Sequence, residues 1–326
     1  MKQTFLPLKK HHGLTLVCWF VLVFLFQTVS FIPRLIAAEN TAIIFRSQQI
    51  AAYNEAIQGF EEGCKGKHIS VKAIYDLHGD TEEGKNIVQT VKESKSRPDV
   101  ILAVGVLAAT LAKEHFPDIP IIFCMVINHD RFNLQGTNIT GISSEASIED
   151  QFSVLKEILG SHKNIGVIYD PEKTRKIVAQ ANTVAKQFDF NLVKSVVLLE
   201  KDVESALKNI IHKIDALWLI PDSTVITKKN LDSIPKITLR SHLPVFSTSD
   251  AMVKAGALVS VSPNYRYTGI QAAQLAQKLL TNPATTSLGI QQPKKLKLTL
   301  NTQTAKTIGI DLSSMQSYPD VVLYPQ

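Results

Sequence analysis

The sequence predicts an α/β protein made of two parallel sheets that follow one another along the chain. Short apolar runs alternate with helix-like segments at about 25–30 residues per unit, which is typical of βαβ units. The alternation is interrupted near residues 138–142 and then starts again, so the 326 residues form two halves. Two such halves joined by short extended crossings enclose a cleft that closes by hinge motion around a ligand.

Strands in the first half are predicted from apolar or β-branched runs, and helices from apolar positions at helical spacing. The run DVILAV at residues 99–104 is continuously apolar after Asp99, as expected for a strand that is covered on both faces. Asp80 precedes a helix as its N-cap, and Arg97-Pro98 ends that helix. The predicted strands are residues 41–46, 69–75, 99–104 and 121–126, with helices at 50–64, 81–96 and 107–115.

The second half repeats the alternation after a short crossing strand at residues 138–142. Its predicted strands are residues 164–169, 191–198, 215–220, 243–246, 257–261 and 297–300. Its predicted helices are residues 147–159, 172–188, 202–213, 227–239, 250–255 and 267–280, followed by a short helix at 304–308 and a loose end.

The N-terminus predicts export. Lys2, Lys9 and Lys10 precede an apolar run at residues 13–32, and small residues at 36–38 offer a cleavage site. This is the layout of a secretory signal peptide at residues 1–38, and it predicts a periplasmic protein. The alternative is an uncleaved anchor, because about 20 apolar residues can span a bilayer.

Charge and cysteine content exclude several classes of protein. The formal net charge is +6, but four of the basic residues lie in the signal segment, which leaves 31 basic against 29 acidic residues. Since no cluster of Lys or Arg lies on one face, we expect no nucleic-acid partner. Cys64 and Cys124 are predicted to be buried, unpaired thiols. The sequence holds no metal-ligand spacing and no glycine-rich phosphate loop, so no cofactor and no enzyme activity are predicted.

Polar residues recur where the predicted strands of both halves end, and ligands bind at that edge of a parallel sheet. Several of them precede helices, whose free N–H groups can hold an anionic group. For each single residue, capping or turn formation is the alternative role. The candidate ligand-binding residues are Ser47, Gln48, Gly105, Val106, Asn128, Tyr169, Asp222, Ser223, Thr224, Asp250 and Asn264.

Four segments carry a resemblance to a known family. They are IGVIYDP at 165–171, DALWLIPDSTV at 215–225, LPVFSTSDAMVKAGAL at 243–258 and PKKLKLTLNTQTAKTIGI at 293–310. They resemble the solute-binding proteins of ABC transporters that include tryptophan- and tyrosine-binding lipoproteins. The resemblance implies the fold of type I periplasmic binding proteins, with two Rossmann-like lobes and three crossings. Lobe I would hold residues 39–140 and 262–292, and lobe II residues 141–261 and 293–326.

The resemblance also implies roles by matching position. The polar loop after the third strand corresponds to residues 105–109, and the loop after the fourth strand to residues 126–129. In this sequence Val106 and Leu107 replace a hydroxyl residue and a proline, and Asn128-His129 replaces Asp-Pro. Both differences argue against an aromatic amino acid as the ligand.

The sequence therefore predicts the periplasmic solute-binding component of an ABC importer. It would be a monomer that delivers a small organic solute, amino-acid-like or a small acid, to a permease in the inner membrane. Helix N-termini at Ser47 and Gly105 would hold an anionic group, and Asp222 or Asp250 a cationic or hydroxyl group. A ligand sensor that signals to a membrane kinase or chemoreceptor is the first alternative, and a secreted α/β enzyme the second.

Overall fold

The computed structural model describes residues 39–94 and 97–325, together with Met1 and Thr4. The predicted signal peptide, with its alternative as an anchor, lies outside the described residues. Within those residues, no helix combines the length and the apolar character needed to cross a bilayer.

The first sheet has six strands, all parallel, in the order β11-β5-β4-β3-β1-β2. Helices α1, α2, α3 and α9 belong to this lobe. The strands are β1 (Asn40–Arg46), β2 (Ile69–Asp76), β3 (Val100–Val104), β4 (Ile121–Val126), β5 (Ile139–Ser143) and β11 (Ile290–Gln291). The helices are α1 (Ala51–Cys64), α2 (Thr81–Glu93), α3 (Val106–His115) and α9 (Tyr265–Thr281). The apolar strand predicted from residues 99–104 is β3, and all five of its residues are buried.

The second sheet has seven strands in the order β13-β12-β10-β9-β8-β6-β7. Its pairs are parallel except that β12 runs antiparallel to β10. The strands are β6 (Asn164–Tyr169), β7 (Asn191–Val196), β8 (Ala216–Trp218), β9 (Val245–Ser247), β10 (Val259–Pro263), β12 (Leu296–Asn301) and β13 (Val321–Tyr324). The helices are α4 (Ile148–Leu159), α5 (Pro171–Val184), α6 (Val203–Ile210), α7 (Lys228–Arg240), α8 (Asp250–Lys254) and α10 (Thr302–Ile308).

The chain passes between the sheets three times, after β5, after β10 and after β11. The predicted architecture of two Rossmann-like lobes with three crossings is therefore confirmed. The predicted strands do not include β11 and β13, which are short edge strands. The predicted N-cap at Asp80 is present, since its carboxylate accepts from the backbone N–H groups of Glu82 and Glu83.

Helix α9 follows the second crossing and packs against α1 at backbone distance. An added Cβ at Gly59 would lie 1.8 Å from the carbonyl oxygen of Arg266, and one at Gly269 would lie 1.9 Å from that of Ala56. Only glycine allows this approach. The two glycines thus fix α9 to the first lobe, although α9 comes after most of the second lobe in sequence.

Cys64 and Cys124 are free and buried, as predicted. Burial raises the pKa of the Cys64 thiol and of the Cys124 thiol to about 12. A thiol of this kind stays protonated near neutral pH and is a poor nucleophile. The cysteines therefore belong to the core of the first lobe.

Candidate functional site

A cavity of about 330 Å³ lies where the carboxyl ends of the two sheets face each other. Its walls come from the loop after β4 in the first sheet, from the first and third crossings, and from helices α4 and α5 and the strand ends of the second lobe. The lining residues are Asn128, His129, Asp130, Ser143, Glu145, Ala146, Ser147, Ile148, Glu149, Gln151, Ile177, Gln180, Trp218, Ile220, Pro221, Thr248 and Gln292. A cavity between two lobes, close to the segments that join them, is where hinge closure would enclose a ligand.

Asn128 joins the two sides of this cavity. Its backbone is left-handed, with a φ of 52°, which asparagine tolerates better than most residues. Its backbone N–H donates to Glu145 Oε1 at 2.7 Å, and its side-chain Nδ2 donates to the carbonyl oxygen of Lys173 at 3.3 Å. Since Lys173 belongs to α5, Asn128 connects the first sheet to the second lobe.

Glu145 lies in the first crossing, two residues after β5. Its carboxylate accepts from the N–H of Asn128 and, at 3.3 Å, from the hydroxyl of Ser143. Burial raises the pKa of Glu145, and these hydrogen bonds and the nearby His129 oppose that shift without cancelling it. A buried carboxylate with a raised pKa in a cleft is a common mark of a functional site.

Two polar atoms next to Glu145 are buried without a hydrogen-bond partner among the described residues. They are Nδ1 of His129 and the hydroxyl oxygen of Ser144. The other ring nitrogen of His129 lies 3.6 Å from Asp130 Oδ1. Because buried polar atoms are normally paired, these two atoms are available to a ligand or to water.

Trp218 forms the apolar floor of the cavity and is almost completely buried, with 1% of its surface exposed. Its indole Nε1 donates to Gln151 Oε1 at 2.8 Å, and Gln151 Nε2 donates to the carbonyl oxygen of Ala146 at 2.9 Å. The ring of Phe152 packs edge-on against it at 5.1 Å between centroids. Trp218 is thereby held rigidly against the first crossing.

Asp222 was predicted to contact the ligand, but its carboxylate is fully buried and accepts four hydrogen bonds from its own surroundings. The donors are the N–H groups of Asp170, Thr224 and Val225 and the hydroxyl of Thr174. Asp222 therefore fixes the loop after β8 to the loop after β6. Its ligand contact stays a prediction, and we leave it out of the proposed site.

Asp250 is likewise engaged by internal donors. Lys297 Nζ lies 2.5 Å from Asp250 Oδ2, and three hydroxyl groups donate to Oδ1. Those hydroxyls belong to Ser260, Ser262 and Thr299. Burial acts to raise the pKa of Asp250, but the hydrogen bond and the charge of Lys297 outweigh it, so the pKa is lowered.

The predicted residues of the first lobe lie around the N-terminus of α3. Ser47 is buried, and its hydroxyl accepts from the N–H of Ala108 at 3.0 Å, so it caps α3. Gly105 has a φ of +90°, and a Cβ there would lie 2.8 Å from the hydroxyl of Tyr53. Val106 is half-buried against the core of this lobe, and Gln48 is exposed.

The remaining predicted residues fall outside the cavity. Tyr169 is half-buried against the core of the second lobe, and Ser223 is exposed beside Asp222. Thr224 donates its hydroxyl to Asp170 Oδ2. Asn264 caps α9 by accepting from the N–H of Tyr267, and it lines a separate cavity of about 610 Å³ at the second and third crossings.

Of the predicted site residues, the structure therefore places only Asn128 in the wall of the interlobe cavity. Glu145, Gln151 and Trp218 were missed as site residues. The sequence could have indicated Glu145, because the topology places a carboxylate of a crossing segment next to the cleft. Trp218 lies in a buried apolar strand, and the sequence alone does not show which side chains of such a strand line a cavity and which belong to the core.

The family assignment rests on a match over most of the chain. The family model for ABC transporter substrate binding protein matches residues 48–319. The chain belongs to the ABC transporter substrate-binding protein family. Its mostly parallel two-lobe architecture is that of type I periplasmic binding proteins.

Relatives of this substrate-binding protein are distant in sequence. It is 24% identical over 265 residues to the tyrosine-binding protein of Clostridioides difficile (strain R20291), which covers 75% of this chain and 76% of the relative. The ligand-free, open structure of CD0873, a substrate-binding protein with adhesive properties from Clostridium difficile, superposes with a TM-score of 0.74. That comparison covers 87% of this chain and 99% of the other, at 21% identity.

A second solved structure is an ABC domain in complex with L-Trp from Streptococcus pneumonia. Its TM-score is 0.62 at 18% identity, over 87% of this chain and all of the other. At such identities the likeness establishes the fold, and the solute of this substrate-binding protein has to be argued from its own cavity.

Proposed function

We propose that this protein is the periplasmic solute-binding component of an ABC importer and that it captures a small organic solute, amino-acid-like or a small acid. The observation that carries the proposal is the cavity of about 330 Å³, whose walls come from both lobes and from the first crossing. Pockets that enclose small molecules begin at about this size. The family match over residues 48–319 supports the same function.

Binding would be coupled to closure of the two lobes. The hydrogen bond from Asn128 Nδ2 to the carbonyl oxygen of Lys173 spans the cleft beside the cavity. The unpaired Nδ1 of His129, a residue of the cavity wall, would gain a partner from a solute. A solute that contacts both walls binds the closed form better, and that difference in affinity is what shifts the equilibrium toward closure.

The predicted signal segment and the family both support export to the periplasm, with delivery of the solute to a membrane permease as the consequence. The family and the fold are those of solute-binding proteins, which hold their ligands without chemical change. Gln151, Trp218 and Asn128 position the walls, and no reacting group is required of them.

The test is a thermal-shift screen of the purified protein against amino acids, amines, organic acids and sugars, followed by calorimetry. A bound solute raises the apparent melting temperature by mass action. Replacing Gln180, a wall residue, by Trp should fill part of the cavity and lower affinity at least tenfold. Replacing exposed Glu114 of α3 by Gln is the control and should leave affinity unchanged.

A transport assay separates the importer from the sensor. Adding the protein and its solute to proteoliposomes that hold the cognate permease and ATPase should stimulate ATP hydrolysis. Binding without such stimulation would count against the importer role, and the absence of any bound solute would count against solute binding itself.

A further inference from the structure

We propose that the solute is an organic cation, an amine with an apolar body, and that Glu145 holds its cationic nitrogen. The inference rests on the proposed function, because it concerns the same interlobe cavity. It narrows the choice left above to solutes that carry an amine and no carboxylate.

The charge of the cavity wall is the first argument. Three carboxylates line it, from Asp130, Glu145 and Glu149, together with His129. Among the described residues that line the cavity, none is a lysine or an arginine. A solute carboxylate would be held close to three like charges, whereas an ammonium group would meet complementary charge.

Helix N-termini near the cavity do not offer an anion site instead. The hydroxyl of Ser147 accepts from the N–H of Asp150 and so caps α4, and the first turn of α4 also carries Glu149. At the start of α5 the carboxylate of Asp170 accepts from the N–H of Glu172. Acidic groups therefore already compensate the positive ends of both helices.

The cations at the strand ends are also engaged by internal carboxylates. Arg46 contacts Asp76 at 2.6 Å, at the carboxyl ends of β1 and β2. Lys297 contacts Asp250 at 2.5 Å, as described above. An anionic solute would have to break one of these ion pairs, and it would leave a partly buried carboxylate without its partner.

Glu145 is the carboxylate best placed to receive a cation. It lies in the crossing itself, and its protein donors are one N–H, from Asn128, and the hydroxyl of Ser143. Burial raises the pKa of this group, so a bound cation would relieve an existing desolvation cost. Oxygen lone pairs remain for an ammonium group, since a carboxylate offers about four acceptor sites.

The rest of the wall suits an apolar body. Ile148, Ile177, Ile220 and Trp218 line the cavity beside the carboxylates. Aliphatic and aromatic groups would be desolvated there, and an indole ring also attracts a nearby cation through its π face. A compact amine with an aliphatic or aromatic body satisfies both parts of the wall.

The experiment compares matched pairs of probes on the full-length protein by calorimetry. Tyramine is paired with 3-(4-hydroxyphenyl)propionate, cadaverine with glutarate, and phenethylamine with 3-phenylpropionate. We expect at least one amine to bind at least tenfold more tightly than its acid. An acid that binds more tightly overturns the inference but keeps the proposed function. If no amine binds, the inference is also overturned, and a blank across the whole solute screen counts against the proposed function as well.

Variants then test which carboxylate binds the amine. Glu145→Gln should weaken the amine at least tenfold, and Glu149→Gln should weaken it less, because Glu149 is exposed. Glu114→Gln changes the net charge equally on a distant face and should have no effect. Circular dichroism and thermal unfolding verify that each variant is folded. If a folded Glu145→Gln binds the amine with unchanged affinity, the assignment of Glu145 is wrong.

Discussion

Replacing Asp222 by Ala tests whether this residue builds the cleft or binds the solute. The side chain is fully buried and accepts from the N–H groups of Asp170, Thr224 and Val225 and from the hydroxyl of Thr174. Alanine would leave the N–H groups of Asp170 and Thr224 without an acceptor, whereas the N–H of Val225 still donates to the carbonyl oxygen of residue 222 at 3.1 Å and the hydroxyl of Thr174 still donates to that of Asp170 at 3.4 Å. Each buried unsatisfied group costs about 1–3 kcal/mol, and water entering the space left by the carboxylate recovers part of the sum. We expect a loss of about 2–4 kcal/mol in the free energy of unfolding.

Asp222→Asn gives a finer test of the same contacts. Its remaining carbonyl oxygen can still accept from Thr224 and Val225, but its NH₂ group would face the N–H of Asp170. Two donors facing each other cannot bond, so we expect a smaller loss of about 1–3 kcal/mol. A larger loss of unfolding free energy for Asp222→Ala than for Asp222→Asn is the result expected if Asp222 acts as a hydrogen-bond acceptor.

Urea unfolding followed by tryptophan fluorescence measures both variants. The sequence has two tryptophans, and Trp19 lies in the predicted signal peptide, so Trp218 is the reporter of the mature protein. Asp232→Ala, at an exposed position on α7, is the matched control and should change stability by less than about 0.5 kcal/mol. Asp222→Ala with the stability of the parent protein but no solute binding would refute this reasoning and restore Asp222 to the binding site.

Three further predictions concern charge and packing. Burial raises the folded-state pKa of Glu145, so its contribution to stability is full below the unfolded pKa of about 4.3 and is lost as pH rises through the folded value. Glu145→Gln should therefore melt at a higher temperature than the parent protein at pH 7 and at a similar temperature at pH 4. Equal melting temperatures of variant and parent at both pH values would contradict a free-energy cost of burying the charged carboxylate. Lys297→Met should lower the free energy of unfolding in urea by about 1–3 kcal/mol, because the side chains of Lys297 and Asp250 are only 16% and 26% exposed. Adding Asp250→Asn should recover part of that loss. Gly59→Ala should destabilise the protein by about 1–3 kcal/mol despite the gain in helix propensity. The helical control is Gly84→Ala, which should be neutral or stabilising because its nearest neighbour is the end of a leucine side chain at 3.1 Å. Similar melting temperatures for the two variants would contradict the close contact of α1 and α9.

The positions of the main strands along the chain could be predicted from the sequence, because buried parallel strands are recognisable from their local composition. The run at 99–104 is apolar at nearly every position, which local composition alone explains. Strands β11 and β13 were missed for the opposite reason. Strand β11 has two residues, and β13 is half-exposed and is held by pairing with β12. Their strand conformation depends on a neighbour, so the local sequence does not specify it.

The candidate site is predicted less well, although the rule that ligands bind beyond strand ends indicates the edge of the sheets at which the interlobe cavity lies. Asp222 and Asp250 follow predicted strands, and in the structure they lie after β8 and β9. What the sequence does not contain is their partners: Thr174 is 48 residues from Asp222, and Thr299 is 49 residues from Asp250. Whether a carboxylate is free depends on such distant donors, and these become neighbours only after folding.

The availability of a carboxylate to a solute can instead be judged from the donors that already surround it. Asp250 accepts from a lysine and three hydroxyl groups, and an incoming ammonium would have to displace Lys297 to reach it. That exchange replaces one cation with another and gains little free energy. Among the described residues no cation is bonded to Glu145, which is partly desolvated, so an ammonium there adds an interaction without removing one. Among the carboxylates at this edge of the sheets, the acid in the crossing therefore has more to gain from a cation than the acid at the strand end.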